Sequence, residues 1–124
     1  MSNYEKQVDK FKNMIFNYLD DRKIIYNKNI LLYDLEPSCD VIREFSTSEE
    51  DADKNVESLI KFTIDYKLNS SDLQKRVLNI EDYWIKIYEK SSGISYDIVK
   101  EKMLTMNRDK FKNWIKDCKR NKHE

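Results

Sequence analysis

The chain contains very few of the residues that make turns, with one glycine, Gly93, and one proline, Pro37, among its 124 residues. Sandwiches and barrels need many turns, and turns consume both residue types. Their scarcity therefore disfavours an all-β fold and predicts a few long helices joined by short polar links. Forty per cent of the residues are hydrophobic and 12% are aromatic, which is typical of a globular chain. This length predicts one domain, spanning residues 1–124.

Histidine is equally scarce, since the only one, His123, is the next-to-last residue. Catalytic Ser-His and Cys-His pairs need a positioned imidazole, which a fraying terminus rarely supplies. One glycine leaves no phosphate-binding loop. Asp20 and Asp21 are adjacent, so on a helix they point in different directions. The acidic run 49–51 lies where a helix N-terminus favours acid. We therefore predict no enzyme activity, no catalytic residue, no metal and no cofactor.

The chain also lacks an excess of charge of either sign, with 23 Lys plus Arg and 23 Asp plus Glu. Nucleic-acid binders usually carry a basic excess, so we expect no nucleic-acid partner. No run of apolar residues approaches the ~20 that span a bilayer, and the charged first twenty residues do not resemble a signal peptide. Cys39 and Cys118 form neither a CxxC pair nor a disulfide framework, which fits a reducing compartment.

Hydrophobic periodicity predicts a first helix from Asn3 to Arg22. Its apolar stripe is Tyr4, Val8, Phe11, Ile15 and Tyr18. Residues 24–35 fit either a hairpin around Asn27–Asn29 or a helix starting near Asn29. We favour the helix, because no other segment would extend such a sheet. Pro37 should kink or restart it.

Two capping signatures, Ser2 with Glu5 and Thr47 with Glu50, predict helix starts. The helix after the second should present one apolar face formed by Ala52, Val56, Leu59, Thr63 and Tyr66.

The segment from Asp72 to Lys90 is apolar around most of its circumference. A helix with that pattern is buried on nearly every side, so we predict a central helix here. Gly93 suits the left-handed cap that follows. A further helix should begin at Ser95, and Asn107 should separate it from a last helix. Trp84 and Trp114 are expected in the core.

Segment 15–44 contains three short patterns, Tyr18-Leu19-x-Asp21, Leu31-Leu32-x-x-Leu35 and Cys39-Asp40-x-Ile42-x-Glu44. In this order, the segment resembles the poxviral Bcl-2-like apoptosis inhibitors, in the form found in myxoma virus. A second similar piece, near the C-terminus, is Trp114-Ile115-x-x-Cys118-Lys119-x-Asn121. Together they cover roughly a third of the chain, and their order and spacing carry the resemblance.

The resemblance implies an all-α, Bcl-2-like helical bundle around a central buried helix at about residues 72–90. Such proteins bind the amphipathic BH3 (Bcl-2 homology 3) helix of Bak, Bax or Bim in a groove built from their helices two to five. The implied function is inhibition of host apoptosis by sequestering those helices. The implied groove residues are Ile42, Phe45, Val56, Leu59, Ile60, Thr63, Leu73, Arg76, Val77 and Ile80. Ordinary core packing is the alternative role for each apolar position.

Cellular relatives carry an NWGR signature where this chain has NSSDLQKR, residues 69–76. The family pattern pairs an arginine near this point with a ligand aspartate. By location, the resemblance gives that role to Arg76. Lys67, Lys75 and Arg43 are competitors, and a solvated surface charge is the alternative role for Arg76.

Relatives of this type also carry a C-terminal hydrophobic anchor. The ending KRNKHE is typical of the basic flank before one, so we expect a chain truncated before its anchor or a member acting without one. If the protein has an anchor, the implied location is the mitochondrial outer membrane of the host cell. If it has none, the implied location is the host cytosol. Membrane contact is expected only through that tail, and relatives provide a precedent for a homodimer.

Two other functions stay open. Some relatives with this fold inhibit innate immune and NF-κB signalling through other faces of the protein. Small helical immunity proteins instead cap toxins, often with an acidic patch. The neutral charge balance of this chain disfavours that last class.

Overall fold

The structure is a computed structural model that describes residues 4–65 and 80–122, with the backbone alone at 80–81 and 119–122. Helices, and no strands, make up the regular structure of these residues, which confirms the all-α class. The helices are α1 (Glu5–Asp21), α2 (Lys28–Asp34), α3 (Glu36–Phe45), α4 (Glu49–Thr63), α5 (Ile80–Ser92), α6 (Tyr96–Thr105) and α7 (Arg108–Lys122). The chain forms two compact units, Met1–Ile80 and Glu81–Glu124.

In the first unit, α1 packs against α3 and α4 through the predicted stripe. Val8, Phe11 and Ile15 are fully buried, and Leu19 continues the row. The predicted Tyr18 is only half-buried. At 100° per residue, positions 18 and 19 lie equally far on either side of the centre of the stripe, and Leu19 is the one that is buried.

The predicted start of α1 was two residues early. The helix begins at Glu5, after Tyr4 in a left-handed conformation with φ 61°, and Tyr4 makes no side-chain cap. Ser2 lies outside the described residues. Glu5 bonds instead to α3, where Arg43 Nε donates to Glu5 Oε1 at 2.5 Å. That hydrogen bond lowers the pKa of Glu5 below its ordinary value. The first residue of α1 is therefore tied to α3.

We expect Glu5→Gln to lower the free energy of unfolding at neutral pH by on the order of 0.2–1 kcal/mol, since the pair is partly exposed. The folded-state pKa of Glu5 is lowered, so its stabilisation is present above the ordinary pKa of 4.5. It is lost as the pH falls from there through the folded value. Urea unfolding at neutral and acidic pH measures this difference between wild type and variant.

Glu50→Gln is the matched control, because Glu50 lies 3.6 Å from Lys54 in a far more exposed pair. Both glutamates lie in the first turn of a helix and share the helix-dipole contribution, so Glu50→Gln should lower stability less than Glu5→Gln does at neutral pH. An equal effect of both substitutions, or an effect of Glu5→Gln that persists in acid, would contradict the assigned role of Glu5.

Within residues 24–35, a non-helical link at 24–27 leads into a helix, α2, rather than into a hairpin, as favoured. The Asn27 side chain accepts a hydrogen bond from the Ile30 amide at 3.1 Å, so α2 starts at Lys28. Leu35 ends α2 and also precedes α3, where Pro37 occupies the first turn. Proline is tolerated there because the first-turn amides have no partner within the helix. Pro37 therefore restarts the helix, as predicted.

The predicted capping pair of α4 is wrong by one residue. Ser48 is the cap, and its Oγ accepts a hydrogen bond from the Asp51 amide at 3.0 Å. Asp51 Oδ2 accepts one in turn from the Thr47 amide at 2.9 Å. The predicted apolar face is confirmed at Ala52, Val56, Leu59 and Thr63, all buried. Tyr66, the fifth predicted position, lies outside the described residues.

In the second unit, α5 carries the described part of the predicted central helix. Among side chains 82–92 only Lys90 is exposed. The buried ones are Tyr83, Ile85, Ile87, Tyr88 and Ser92. The helix continues two residues beyond the predicted end, to Ser92, and Gly93 follows with φ 76°. Residues 72–79 of the predicted helix lie outside the described part of the chain.

The two later helices begin where predicted. Ser95 precedes α6, and the Asn107 side chain accepts a hydrogen bond from the Lys110 amide at 2.9 Å to cap α7. The Phe111 ring on α7 meets Tyr88 edge-on, with centroids 4.9 Å apart. Trp84 and Trp114 are half-buried rather than fully enclosed.

Candidate functional site

Six of the ten predicted groove residues have described side chains, and five of these are buried. The buried ones are Ile42, Phe45, Val56, Leu59 and Thr63. Ile60 is half-buried. Leu73, Arg76 and Val77 lie outside the described residues, and of Ile80 only the backbone, at the start of α5, is described.

The structure brings the helices of the buried five together, because α3 and α4 contact each other. Ile42 is completely inaccessible to solvent, and Leu59 nearly so. In this conformation a ligand helix cannot touch either side chain directly. Among the groove residues whose side chains are described, the accessible part is therefore the side of α4 that carries Ile60.

An open depression of about 420 Å³ lies on that side, between α1 and α4. It is lined mainly by apolar surface, and its residues are Lys10, Met14, Val56, Glu57, Ile60, Lys61, Ile64 and Asp65.

The lining residues on α4 and just after its end, at Ile64 and Asp65, form two rows with a four-residue spacing. Val56, Ile60 and Ile64 make an apolar row. Glu57, Lys61 and Asp65 make a second row in which charge alternates. On the α1 side, Lys10 and Met14 share the same four-residue spacing, and Met14 is exposed.

This arrangement suits an amphipathic helix better than a small molecule. Small-molecule pockets bury most of their ligand and present converging polar groups. Here the depression is open, and its charges flank an apolar row. A helix-in-groove ligand places apolar anchors along one face with polar residues beside them. Met14 adds an unbranched side chain, which can adapt its shape to a bound side chain.

Arg43, one competitor for the ligand aspartate, already has acidic neighbours. It bonds to Glu5, and its Nη1 lies 3.6 Å from Asp40 Oδ1. The hydrogen bond to Glu5 raises the pKa of Arg43. Arg43 therefore ties α3 to α1 in this structure. Lys67, Lys75 and Arg76 lie outside the described residues.

The two cysteines lie in different surroundings. Cys39 is buried in α3, and burial raises the pKa of its thiol to about 12. Its side chain therefore packs as a small hydrophobic group. Cys118 is half-buried on α7.

Within residues 4–65 and 80–122, no helix combines the length and the apolar character needed to cross a bilayer. No group of His, Cys, Asp or Glu side chains in those ranges is placed to hold a metal ion. Comparisons with protein-family models, curated proteins and solved structures found no match to this chain. Any relation to the Bcl-2-like inhibitors therefore rests on the sequence segments quoted above.

Proposed function

We propose that this chain is a viral inhibitor of host apoptosis that sequesters the BH3 helices of pro-apoptotic proteins of the Bak, Bax and Bim type. The observation that carries the proposal is the depression beside α4, where an apolar row runs alongside a row of charges. That pattern is the complement of an amphipathic helix.

The accessible members of the apolar row, Ile60 and Ile64, with Met14 beside them, would supply most of the affinity, because Val56 is fully buried. Burying one large aliphatic side chain contributes about 1.5–3 kcal/mol, whereas an exposed ion pair contributes about 0.2–1 kcal/mol. Three or four buried ligand side chains are thus needed to offset the cost of association and reach micromolar binding. Lys10 and Lys61 border the depression and would meet the ligand aspartate. In this proposal they join Arg76 as candidates for that role.

The proposed fold is a Bcl-2-like bundle with the helix containing α5 at its centre. The burial pattern of α5 supports this, because only Lys90 among side chains 82–92 is exposed. The helical content of residues 15–44 supports it too, since the end of α1, all of α2 and most of α3 occupy the segment that resembles the family.

Isothermal titration with synthetic BH3 peptides from Bak, Bax and Bim tests the proposal. We expect micromolar or tighter binding that is lost when the central leucine of the peptide is replaced. Replacing the peptide aspartate should weaken binding less, because the lysines bordering the depression are exposed. No heat with any peptide, from a sample whose circular dichroism is helical, would reject the apoptotic role.

A second candidate function is inhibition of innate immune signalling by a Bcl-2-like fold. The burial of Ile42, Phe45 and Leu59 favours it. A groove whose floor is covered cannot take a ligand helix there, and relatives of that kind use other faces. A folded protein that ignores every BH3 peptide would shift the proposal to this function.

A further inference from the structure

The depression between α1 and α4 has two rims whose charges differ in sign. On the α1 side the charged lining residue is Lys10, and on the α4 side the charged lining residues are Glu57, Lys61 and Asp65. All four side chains are exposed. The α1 rim therefore carries one positive charge. The α4 rim carries one net negative charge, because Lys61 cancels one of its two carboxylates.

On α1, the residues beside Lys10 keep the rim positive. Lys6 lies four residues earlier, on the same side of the helix, and is exposed. Asp9 points about 100° away from Lys10, in the direction opposite to Met14, which lines the depression. Asp21, the next carboxylate in the row of Lys10 and Met14, lies about three helical turns further along. The part of α1 that borders the depression is therefore basic.

On α4, the rim stays acidic beyond the depression. Asp53 lies four residues before Glu57 and is exposed. Lys54 also lies on that side, but it is 3.6 Å from Glu50, so these two charges cancel. Within the described part of the chain, none of the four lining charges has an ion-pair partner. The charges of both rims are therefore available to a ligand.

This difference between the rims determines which way a bound helix can lie. The accessible apolar floor, formed by Met14, Ile60 and Ile64, takes the apolar face of the ligand. The two borders of that face then meet different rims, one basic and one acidic. Turning the helix end to end, with its apolar face still on the floor, exchanges its borders. A helix whose borders differ in charge is therefore favoured in one direction only, since like charges meet in the other.

We propose that the depression binds an amphipathic helix whose apolar face is bordered by acid on one side and by base on the other, and that the two rims fix the direction of this helix. Its acidic border lies along Lys10, and its basic border lies along Glu57 and Asp65. Charge complementarity selects this occupant, because the lining as a whole is neutral and a helix of one sign loses at one rim what it gains at the other. The inference rests on the proposed helix-binding function and deepens it by specifying the ligand.

Two synthetic peptides of identical composition test the inference by isothermal titration with the full chain. Each carries leucines along one helical face, with equal numbers of glutamates and lysines at the borders of that face. The split peptide has its glutamates on one border and its lysines on the other, whereas the mixed peptide alternates them on both. An exposed ion pair changes affinity by about 1.4- to 5-fold, and the split peptide gains three attractions less the repulsion at Lys61. We therefore expect it to bind about fivefold more tightly, a difference that shrinks as salt rises.

A nitroxide at the N-terminus of the split peptide reports the direction of the bound helix. It should broaden the amide resonances of α4 at one end of the depression. A second split peptide, with its two borders exchanged, should broaden them at the other end.

Reversing the charges of both rims provides the matched variant. The rim variant combines Lys6→Glu, Lys10→Glu, Asp53→Lys and Glu57→Lys, and it should invert the direction of both split peptides. The control variant makes the same four reversals at exposed positions of α6 and α7, with Asp97→Lys, Lys100→Glu, Glu101→Lys and Lys110→Glu. It should leave both directions unchanged.

Equal affinity for the split and mixed peptides, one direction shared by both split peptides, or no binding of any peptide would overturn the inference. The peptides are unrelated to BH3 sequences, so the two proposals can fail separately. A chain that binds BH3 peptides without telling the split from the mixed peptide keeps the proposed function and rejects this inference. A chain that orients the split peptides but ignores BH3 peptides supports the inference and rejects the apoptotic role.

Discussion

Replacing Ile42 with alanine is expected to lower the free energy of unfolding by about 2–5 kcal/mol. Ile42 lies on α3, which packs against α1 and α4, and its side chain is 0% exposed. The substitution removes buried apolar atoms and leaves a cavity that the helices fill only in part. Since single domains unfold with about 5–15 kcal/mol, the loss should be evident in urea unfolding followed by circular dichroism.

Ile60→Ala is the matched control, because it makes the same chemical change at a half-buried position of the open depression. Its effect on stability should be clearly smaller than that of Ile42→Ala. The sequence assigned both isoleucines to a groove floor. Equal and small effects would mean that Ile42 is accessible in solution and that the groove floor extends to α3.

Replacing Ile60 with glutamate is expected to abolish BH3-peptide binding while leaving the helix content unchanged. The new carboxylate would stand in the middle of the apolar row between Val56 and Ile64. Covering it with an apolar ligand side chain costs at least about 1–3 kcal/mol beyond the lost hydrophobic contact. Together these terms predict a loss of about a hundredfold or more, measured by titration with the tightest-binding peptide.

Ile98→Glu provides the control, because Ile98 is exposed on α6 and lies outside the depression. It should bind as the wild type does. If Ile60→Glu binds normally as well, the ligand does not use the depression. A collapse of helix content in Ile60→Glu would instead place Ile60 in the core.

Periodicity predicted the apolar faces of α1 and α4, and the structure confirms most positions of both. On α4 the four predicted positions from Ala52 to Thr63 are buried. Four residues at helical spacing define a single face of the helix, so the face that packs inward was determined by the sequence. Helix starts were less accessible to sequence reasoning. Either Thr47 or Ser48 can cap a helix, and the choice depends on backbone angles that the side-chain types do not determine. The short α2 was ambiguous because its seven residues fit both the helical period of about 3.6 residues and the strand period of about two.

The candidate site was harder to predict, since it depends on which helices become neighbours. The sequence indicates that Ile60 belongs to an apolar face, but not that α1 lies along its edge. Met14, Lys10 and Ile64 were therefore missed. The four-residue rows of α4 were the available signal, because a charged row beside an apolar row marks the border of a buried face. Ile42 could not be told from Ile60, since a core and a groove floor have the same hydrophobic pattern.

The packing of α1 has a consequence for synthesis of the chain. Its partners α3 and α4 come later in the sequence, and 42 residues separate Asp21 from Thr63. At about 5–20 residues per second, a ribosome needs roughly 2–8 s to add them. A lone helix of 17 residues is marginal in water. The nascent chain therefore exposes Val8, Phe11, Ile15 and Leu19 for seconds, an interval in which chaperones and proteases compete with folding.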